Sequence, residues 1–333
     1  MSTIKDVAKL AGVSVSAVSK AFNNYAEISD DTKEKIFRAA KELDYIPNKS
    51  AVELSRGRKP YLGLIVKDLD THNTFDEHMF RLLSGTHARA CEIGQELIIF
   101  TTPQIKQFKQ TYVEFCKHHS LMGAIIQGIG SDDPYLEALL ESTIPTVLID
   151  VEREGAHTAF VTTDNEKASS EVVDLLVSKG HRKICHILGH PADEVTKQRE
   201  NGFTAAARRH MLNEDEVYII AGDFVEDIAY ANTKKALQIH RDITAIYAAS
   251  DLMALGALRA IKEEGLTAGK DIALVGFDGL KALEYTTPSI ATVFQDFHGM
   301  GRLAVDTLQQ IAKGLPFSGK NFVPYTLMHR GSV

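Results

Sequence analysis

The chain has few cysteines and no long apolar run. Cys91, Cys116 and Cys185 are its only thiols in 333 residues. They are odd in number, widely spaced and never arranged as CxxC, which excludes a disulfide framework and a cysteine zinc site. No stretch of about 18 apolar residues occurs, so no membrane span is expected. The opening MSTIKDVAKLAGVS has no secretory apolar region or cleavage site, and a cytoplasmic protein with reduced thiols is expected. A nucleophile elbow is missing, as are paired carboxylates with an evident acid–base role, so no enzyme is read. No cofactor is expected either. Gly314-x4-Gly319-Lys320 continues with Asn321 and follows a helix, unlike a phosphate loop. Gly128-x-Gly130 lacks a third glycine, and His186-x3-His190 has no third metal ligand.

What is present is ordinary globular composition, 44% hydrophobic and 24% charged, in a length that suits two or three domains. The net charge of −7 is uneven. Residues 1–60 hold 11 Lys and Arg against 8 Asp and Glu, a net +3, and the remainder is at −10. An acidic protein with a basic head avoids nucleic acid generally but can bind DNA through that head.

Three short helices are read in residues 1–46. Thr3 and Asp6 have capping-box spacing before Val7, Leu10 and Ala11, and Gly12 ends the pattern. Ser14 caps a second helix, Val15–Phe22, and Ser29 or Asp30 a third, Asp31–Leu43. Helix, glycine turn, helix is the helix-turn-helix arrangement. Ala8 permits close approach, and Val13 and Val18 fill the small core. Val15, Ser16, Ala17, Ser19 and Lys20 then occupy the face that meets base edges in a major groove. Lys20, Asn23 and Asn24 suit phosphates, and Ser14 and Asn48 are also read as DNA-binding residues. A small helical docking module is the alternative reading.

Pro47 stops the third helix, and residues 47–60 read as a basic linker with a short helical middle that is marginal alone. From residue 61 on, near-continuous apolar strands (YLGLIV, ELIIFT, GAIIQG, TVLID, KICHILG, EVYIIAG, AIYAAS, IALVGFD, SIATVF, FVPYTLM) alternate with helix-length segments. That predicts an α/β body of parallel sheets covered on both faces. The expected helices are 75–93, 106–118, 134–141, 166–179, 199–210, 225–240, 252–264 and 297–313. About 270 residues exceed one doubly wound unit, so two lobes with a ligand cleft at the strand ends are expected. Lys67, Asp68, Asp150, Ser250, Asp251 and Asp278 follow strands, and Arg199 is placed at a helix start. Carboxylates with an arginine suit a polyhydroxyl ligand, with Phe75, Phe224 or Phe297 as an apolar face. Helix capping is the competing role, most strongly for Asp251.

IKDVAKLAGVSVSAVSKAFNN followed by ISDDTKEKIFRAAKELDYIPN resembles the N-terminal domain of the lactose/galactose repressor (LacI/GalR) family, continuously from Ile4 to Leu54. The family usually has Thr-Val-Ser-Arg where this chain has Ala17-Val18-Ser19-Lys20, a point charge in place of a guanidinium fork. The resemblance runs to about residue 330 and implies a periplasmic-binding-protein-like body with three crossovers between lobes. It covers Arg199-x-x-Gly-Phe203 and Val275-Gly-Phe-Asp278. It implies an effector site of Lys67, Asp150, Arg199, Phe224, Ser250, Asp278, Gln295 and Phe297, to which the reading of strand ends and apolar faces adds Asp68 and Phe75. Lys67 departs from the family and points to an acidic or phosphorylated sugar unless Asp68 neutralises it. The resemblance also implies a hinge helix in the linker that orders on the operator, with Leu54 as a minor-groove wedge.

The expected organisation is a helix-turn-helix domain at 1–46, a hinge at 47–60 and an effector-binding, dimerising body at 61–333. Lobe 1 is placed at about 61–160 plus 291–320, and lobe 2 at about 161–290 plus 321–333. The expected function is a ligand-responsive regulator, chiefly a repressor of sugar uptake or catabolism genes. It would bind a pseudo-palindromic DNA operator as a homodimer, take a sugar effector, avoid membranes, and associate with the bacterial nucleoid when on DNA. A transport solute-binding protein and a sugar or nucleotide enzyme are the alternatives from other classes.

Overall fold

The computed structural model describes residues 3–22, 27–45, 61–66, 77–107 and 110–333. The readings made for Asn23, Asn24, Asn48, the hinge with Leu54, Lys67, Asp68 and Phe75 lie outside these residues. Two compact units divide the chain, 1–60 and 61–333.

The first unit contains α1 (Ile4–Ala11), α2 (Val15–Phe22) and α3 (Asp30–Glu42). The Thr3 hydroxyl accepts from the Asp6 N–H, and the Asp6 carboxylate accepts from the Thr3 N–H at 2.8 Å, the reciprocal capping box. Gly12 ends α1 at φ 66°, which favours a residue without a Cβ. Val7, Ala8, Val18, Ala21, Ile36, Ala39 and Ala40 form one buried core. Leu10 departs from the expected apolar face and is exposed. α3 begins at Asp30 with Ser29 as its cap position, one residue earlier than the sequence pattern suggests.

The second unit holds two six-stranded sheets. The first has β1 (Tyr61–Val66), β2 (Leu97–Thr101), β3 (Leu121–Gln127), β4 (Thr146–Ile149), β5 (Thr158–Thr163) and β11 (Lys320–Val323), all parallel, in the order β11-β5-β4-β3-β1-β2. The second has β6 (Ile184–Leu188), β7 (Val217–Ala221), β8 (Ala245–Ala248), β9 (Ala273–Asp278), β10 (Ala291–Gln295) and β12 (Tyr325–Met328), in the order β12-β10-β9-β8-β6-β7. β12 alone runs antiparallel, against β10. The helices are α4 (Glu77–Glu92), α5 (Thr102–Gln107), α6 (Tyr112–His118), α7 (Leu136–Leu140), α8 (Asn165–Ser178), α9 (Glu194–Arg209), α10 (Glu226–Ile239), α11 (Asp251–Glu263) and α12 (Phe297–Ala312). Each sheet carries an apolar cluster on both faces, as doubly covered parallel sheets require. The chain passes between the sheets after β5, after β10 and after β11. Among the described residues no helix is long and apolar enough to cross a membrane.

Four expectations need correction. The strand TAFVTT (β5) was not anticipated, because its threonines dilute the apolar run that marks the other strands. FVPYTLM is two strands in different sheets: Pro324, which has no N–H to donate, separates Val323 from Tyr325. The segment 106–118 is two helices, and the second begins at its own Thr111–Glu114 capping box. The stretch 291–295 pairs with β9 in the second sheet, so the crossover to the first lobe falls at residue 296 rather than 291.

Candidate functional site

Gln127 of β3, Asp150 after β4, Asp278 of β9 and Gln295 of β10 put charged or amide side chains at strand ends, where backbone groups run out of ladder partners and ligands bind in parallel α/β folds. Asp150 follows β4 with φ 61°. Its carboxylate accepts from the Thr162 hydroxyl of β5 at 2.7 Å. Burial pushes its pKa up, against the Thr162 bond and the positive charge of Arg199. Asp278 ends β9 at φ 125°, a strained backbone for a residue with a Cβ. Gln295 Nε2 donates to Asp278 Oδ1 at 2.9 Å. Burial raises the Asp278 carboxyl as well, opposed first by Arg199 and then by His78.

Arg199 is 4% exposed, and its charge acts on both carboxylates. Its Nε donates to Asn165 Oδ1 at 2.9 Å and its Nη1 to the Ala249 carbonyl at 2.5 Å. Nη1 also stands 3.9 Å from Asp278 Oδ1. The guanidinium lies 3.8 Å above the Phe277 ring centroid, a cation–π contact. Arg199 is in the second turn of α9, which begins at Glu194, so the helix starts five residues before the sequence reading placed it. An arginine fixed on three sides inside a buried site offers a rigid donor edge to hydroxyl or carboxylate oxygens.

Phe297 opens α12 after the Asp296 cap, and its ring centroid is 5.3 Å from that of His78 on α4. Asp150, Arg199, Asp278, Gln295 and Phe297 are therefore brought together, from both lobes. Ser250 and Phe224 have other attachments. The Ser250 hydroxyl caps α11 by accepting from the Met253 N–H at 3.3 Å. The Phe224 ring occupies the space where a side chain on Gly189 would stand.

Asp251 is not the cap that the sequence suggested. It is fully buried, and its carboxylate accepts from the Leu280 N–H at 2.6 Å and the Thr292 hydroxyl at 2.7 Å. Burial, with Asp278 nearby, raises its pKa. It thereby holds the turn that follows Asp278. The first lobe grips the same turn. Glu77 of α4 accepts from the Lys281 N–H at 3.0 Å, Arg81 donates to the Gly279 carbonyl at 3.2 Å, and Glu77 and Arg81 form an ion pair.

Sequence reasoning missed His78, Asn165, Thr162, Glu77 and Arg81. Asn165 donates to Gln198 Oε1 and to the Thr163 carbonyl, both at 3.0 Å, within the first passage between lobes. With β5 unread, no strand end pointed to Thr162 or Asn165, and helix-borne residues such as His78 and Glu77 carry no strand-end signal.

In the first unit the Ser14 hydroxyl accepts from the Ala17 N–H at 3.1 Å and caps α2. Ser14, Val15 and Ser16 are exposed, and Ala17, Ser19 and Lys20 are half-buried. Lys20 forms an ion pair with Glu27, which holds the Glu27 carboxyl below its usual range.

Comparison with known proteins adds three findings. Residues 3–48 match the family model described as bacterial regulatory proteins, lacI family, and residues 173–333 match a periplasmic binding protein-like domain. The chain is 33% identical over 311 residues to the HTH-type transcriptional regulator MalR of Clostridium butyricum, spanning 92% of this chain and 91% of that protein. It is 28% identical over 314 residues to the HTH-type transcriptional repressor PurR of Vibrio atlanticus, spanning 94% and 92%. Among solved structures, the lac repressor dimer bound to operator and the anti-inducer ONPF aligns with TM-score 0.87 at 27% identity, covering 99% of this chain and 98% of that one. The transcriptional regulator CelR in complex with cellobiose aligns with TM-score 0.75 at 26% identity, over the full length of both.

Proposed function

The chain belongs to the lacI family of bacterial regulatory proteins, and from that membership we propose how its own residues work. It is a ligand-responsive, sequence-specific DNA-binding transcriptional regulator and not an enzyme. Its partners are operator DNA, a small-molecule effector of the sugar class and a second copy of itself. Its work is the repression of genes for sugar uptake or catabolism, in the cytoplasm, with nucleoid association while it is on the operator.

The assignment of residues rests on one observation above all: a buried arginine, Arg199, whose Nη1 stands 3.9 Å from Asp278 of one lobe and whose charge acts on Asp150 of the other. Two carboxylates accept from neighbouring hydroxyls and the guanidinium donates to ring or hydroxyl oxygens, so both lobes hold one polyhydroxyl ligand. Gln295 orients Asp278, and Phe297 offers the apolar face of the sugar a surface. Lys67, Asp68, Phe75, Phe224 and Ser250 complete the proposed effector set. An acidic or phosphorylated sugar is favoured if Lys67 enters the cleft unpaired.

On DNA, α2 enters the major groove. Val15 and Ala17 supply methyls for thymine, Ser16 and Ser19 face base edges, Lys20 and Asn23 contact phosphates, and Ser14 and Asn48 lie beside them at the DNA. Lys20 must exchange Glu27 for a phosphate. Leu54 wedges the minor groove at the operator centre.

Selection of bound duplexes from a random pool by the full chain tests the reading. A pseudo-palindrome recovered by the wild type and lost with Ser16→Arg supports it. Enrichment unchanged by Ser16→Arg removes α2 from base reading. Leu54→Ala should weaken the selected site while sparing salt-dependent non-specific binding.

A further inference from the structure

The cleft continues beyond the Arg199 site. A cavity of about 220 Å³ lies between the lobes, lined by Thr102, Tyr112, Asp132, Asp133, His190 and Asp193 among others. Strand register locates it. Gln127 of β3 pairs with Ile149 of β4, so Gly128 in the cavity wall and Asp150 in the Arg199 site are the next residues on adjacent strands, about 5 Å apart. In the other lobe Ile187 pairs with Ala248, which sets Leu188 beside Ala249, the carbonyl that receives Arg199. His190 follows two residues later. The cavity thus begins one strand from the Arg199 site and reaches to Thr102 after β2, in the same direction along both sheets.

We propose that this cavity is a second saccharide subsite, and that the effector is a sugar of at least two linked rings lying across the strand ends. The proposal rests on the polyhydroxyl reading of the Arg199 site and specifies the ligand class.

The donors and acceptors fit a ring bearing hydroxyls. Tyr112 donates to Asp133 Oδ2 at 2.9 Å, while Asp133 Oδ1 accepts from the Tyr135 N–H at 2.9 Å, which fixes that carboxylate. The neighbouring carboxylate keeps the Tyr112 hydroxyl protonated, as burial does. His190 Nδ1 accepts from the Ala192 N–H at 3.3 Å, so the neutral ring carries its proton on Nε2 as a donor. Asp132 and Asp193 add acceptors on opposite lobes. The lining therefore mixes fixed acceptors with one oriented donor, a pattern adjacent sugar hydroxyls satisfy. The volume is below the ~300–1,000 Å³ of a complete small-ligand pocket, which suits one ring of a longer ligand.

Calorimetric titration of the full chain tests this. The probes are glucose, galactose, mannose and xylose, each with its α- and β-linked disaccharides. We expect at least one disaccharide to bind ten-fold or more tightly than its own monosaccharide. Asp132→Asn and His190→Gln, both at exposed positions, should shrink that ratio several-fold while leaving the monosaccharide Kd within two-fold. Equal affinity for one and two rings overturns the subsite, as does an equal loss for both in these variants. Arg199→Lys separates the two readings. If it weakens every bound sugar while the ratio is one, the subsite falls and the Arg199 site stands. If no probe binds to a chain that still binds its selected operator, the sugar reading falls and the subsite with it.

Discussion

Arg199 is held by Asn165, the Ala249 carbonyl and the face of Phe277, so its donor geometry exists before any ligand arrives. A lysine keeps the charge but has neither the fork nor the flat face. Arg199→Lys should lower sugar affinity by roughly 100-fold, in line with ~3 kcal/mol for a buried charge-assisted network. Operator affinity without sugar should be retained, so that titration of both ligands on one sample gives the answer. His186 tells a different story. It is sandwiched between Phe203 and Tyr247, its Nδ1 faces the Tyr247 carbonyl at 3.0 Å, and its Nε2 is buried without a partner. Burial pushes its pKa down to about 4. A folded-state pKa below the unfolded value of 6.5 gives stability that is fully present above pH 6.5 and lost as pH falls towards 4. That fall corresponds to ~3 kcal/mol in that window. His186→Phe keeps the stack, so its melting temperature should fall less than that of the wild type between pH 7 and pH 5.

Helices α4 and α12 touch closely because Gly85 leaves room: a Cβ there would fall on the His298 backbone. Gly85→Ala should force the helices apart at a cost of ~1–3 kcal/mol, visible as a lower denaturation midpoint with an unchanged m-value. The neighbouring elements explain how much could be read from residue order alone. α2 was legible to the residue, because Ser14, the glycine before it and Val18 are local signals. The parallel sheets were legible from runs such as YLGLIV and IALVGFD, whose two buried faces leave no polar alternation. β5 was not, since TAFVTT is equally buried but built with threonines. Asp150 and Asp278 were legible as strand-end chemistry, and Arg199 through the Arg-x-x-Gly-Phe motif although its helix begins earlier. Their companions Asn165 and His78 were not, because tertiary packing alone brings a helix start and a helix flank to the same place. Asp251 shows the reverse error: a carboxylate at a helix start looks like a cap, and only the fold reveals the Leu280 N–H that it serves.

The two lobes meet at the turn after Asp278, which Asp251 holds from within its own lobe and Glu77 and Arg81 hold from the other. A ligand that pulls on Asp278 therefore pulls on the bonds between lobes. Glu77→Gln keeps size and removes the charge that pairs with Arg81. The ratio of operator affinities with and without sugar should shrink several-fold, since a hydrogen bond to a charged group contributes ~1.5–3 kcal/mol when well formed. Reciprocity requires the ratio of sugar affinities with and without operator to shrink by the same factor, and a mismatch would show that Glu77 acts outside the coupling.

The three passages between the sheets, beside Asn165, at Asp296 and at Pro324, also constrain movement itself. One tether would leave a lobe free to swivel in every direction. Several tethers confine it to swinging about the line that joins them, as a door swings on its hinges.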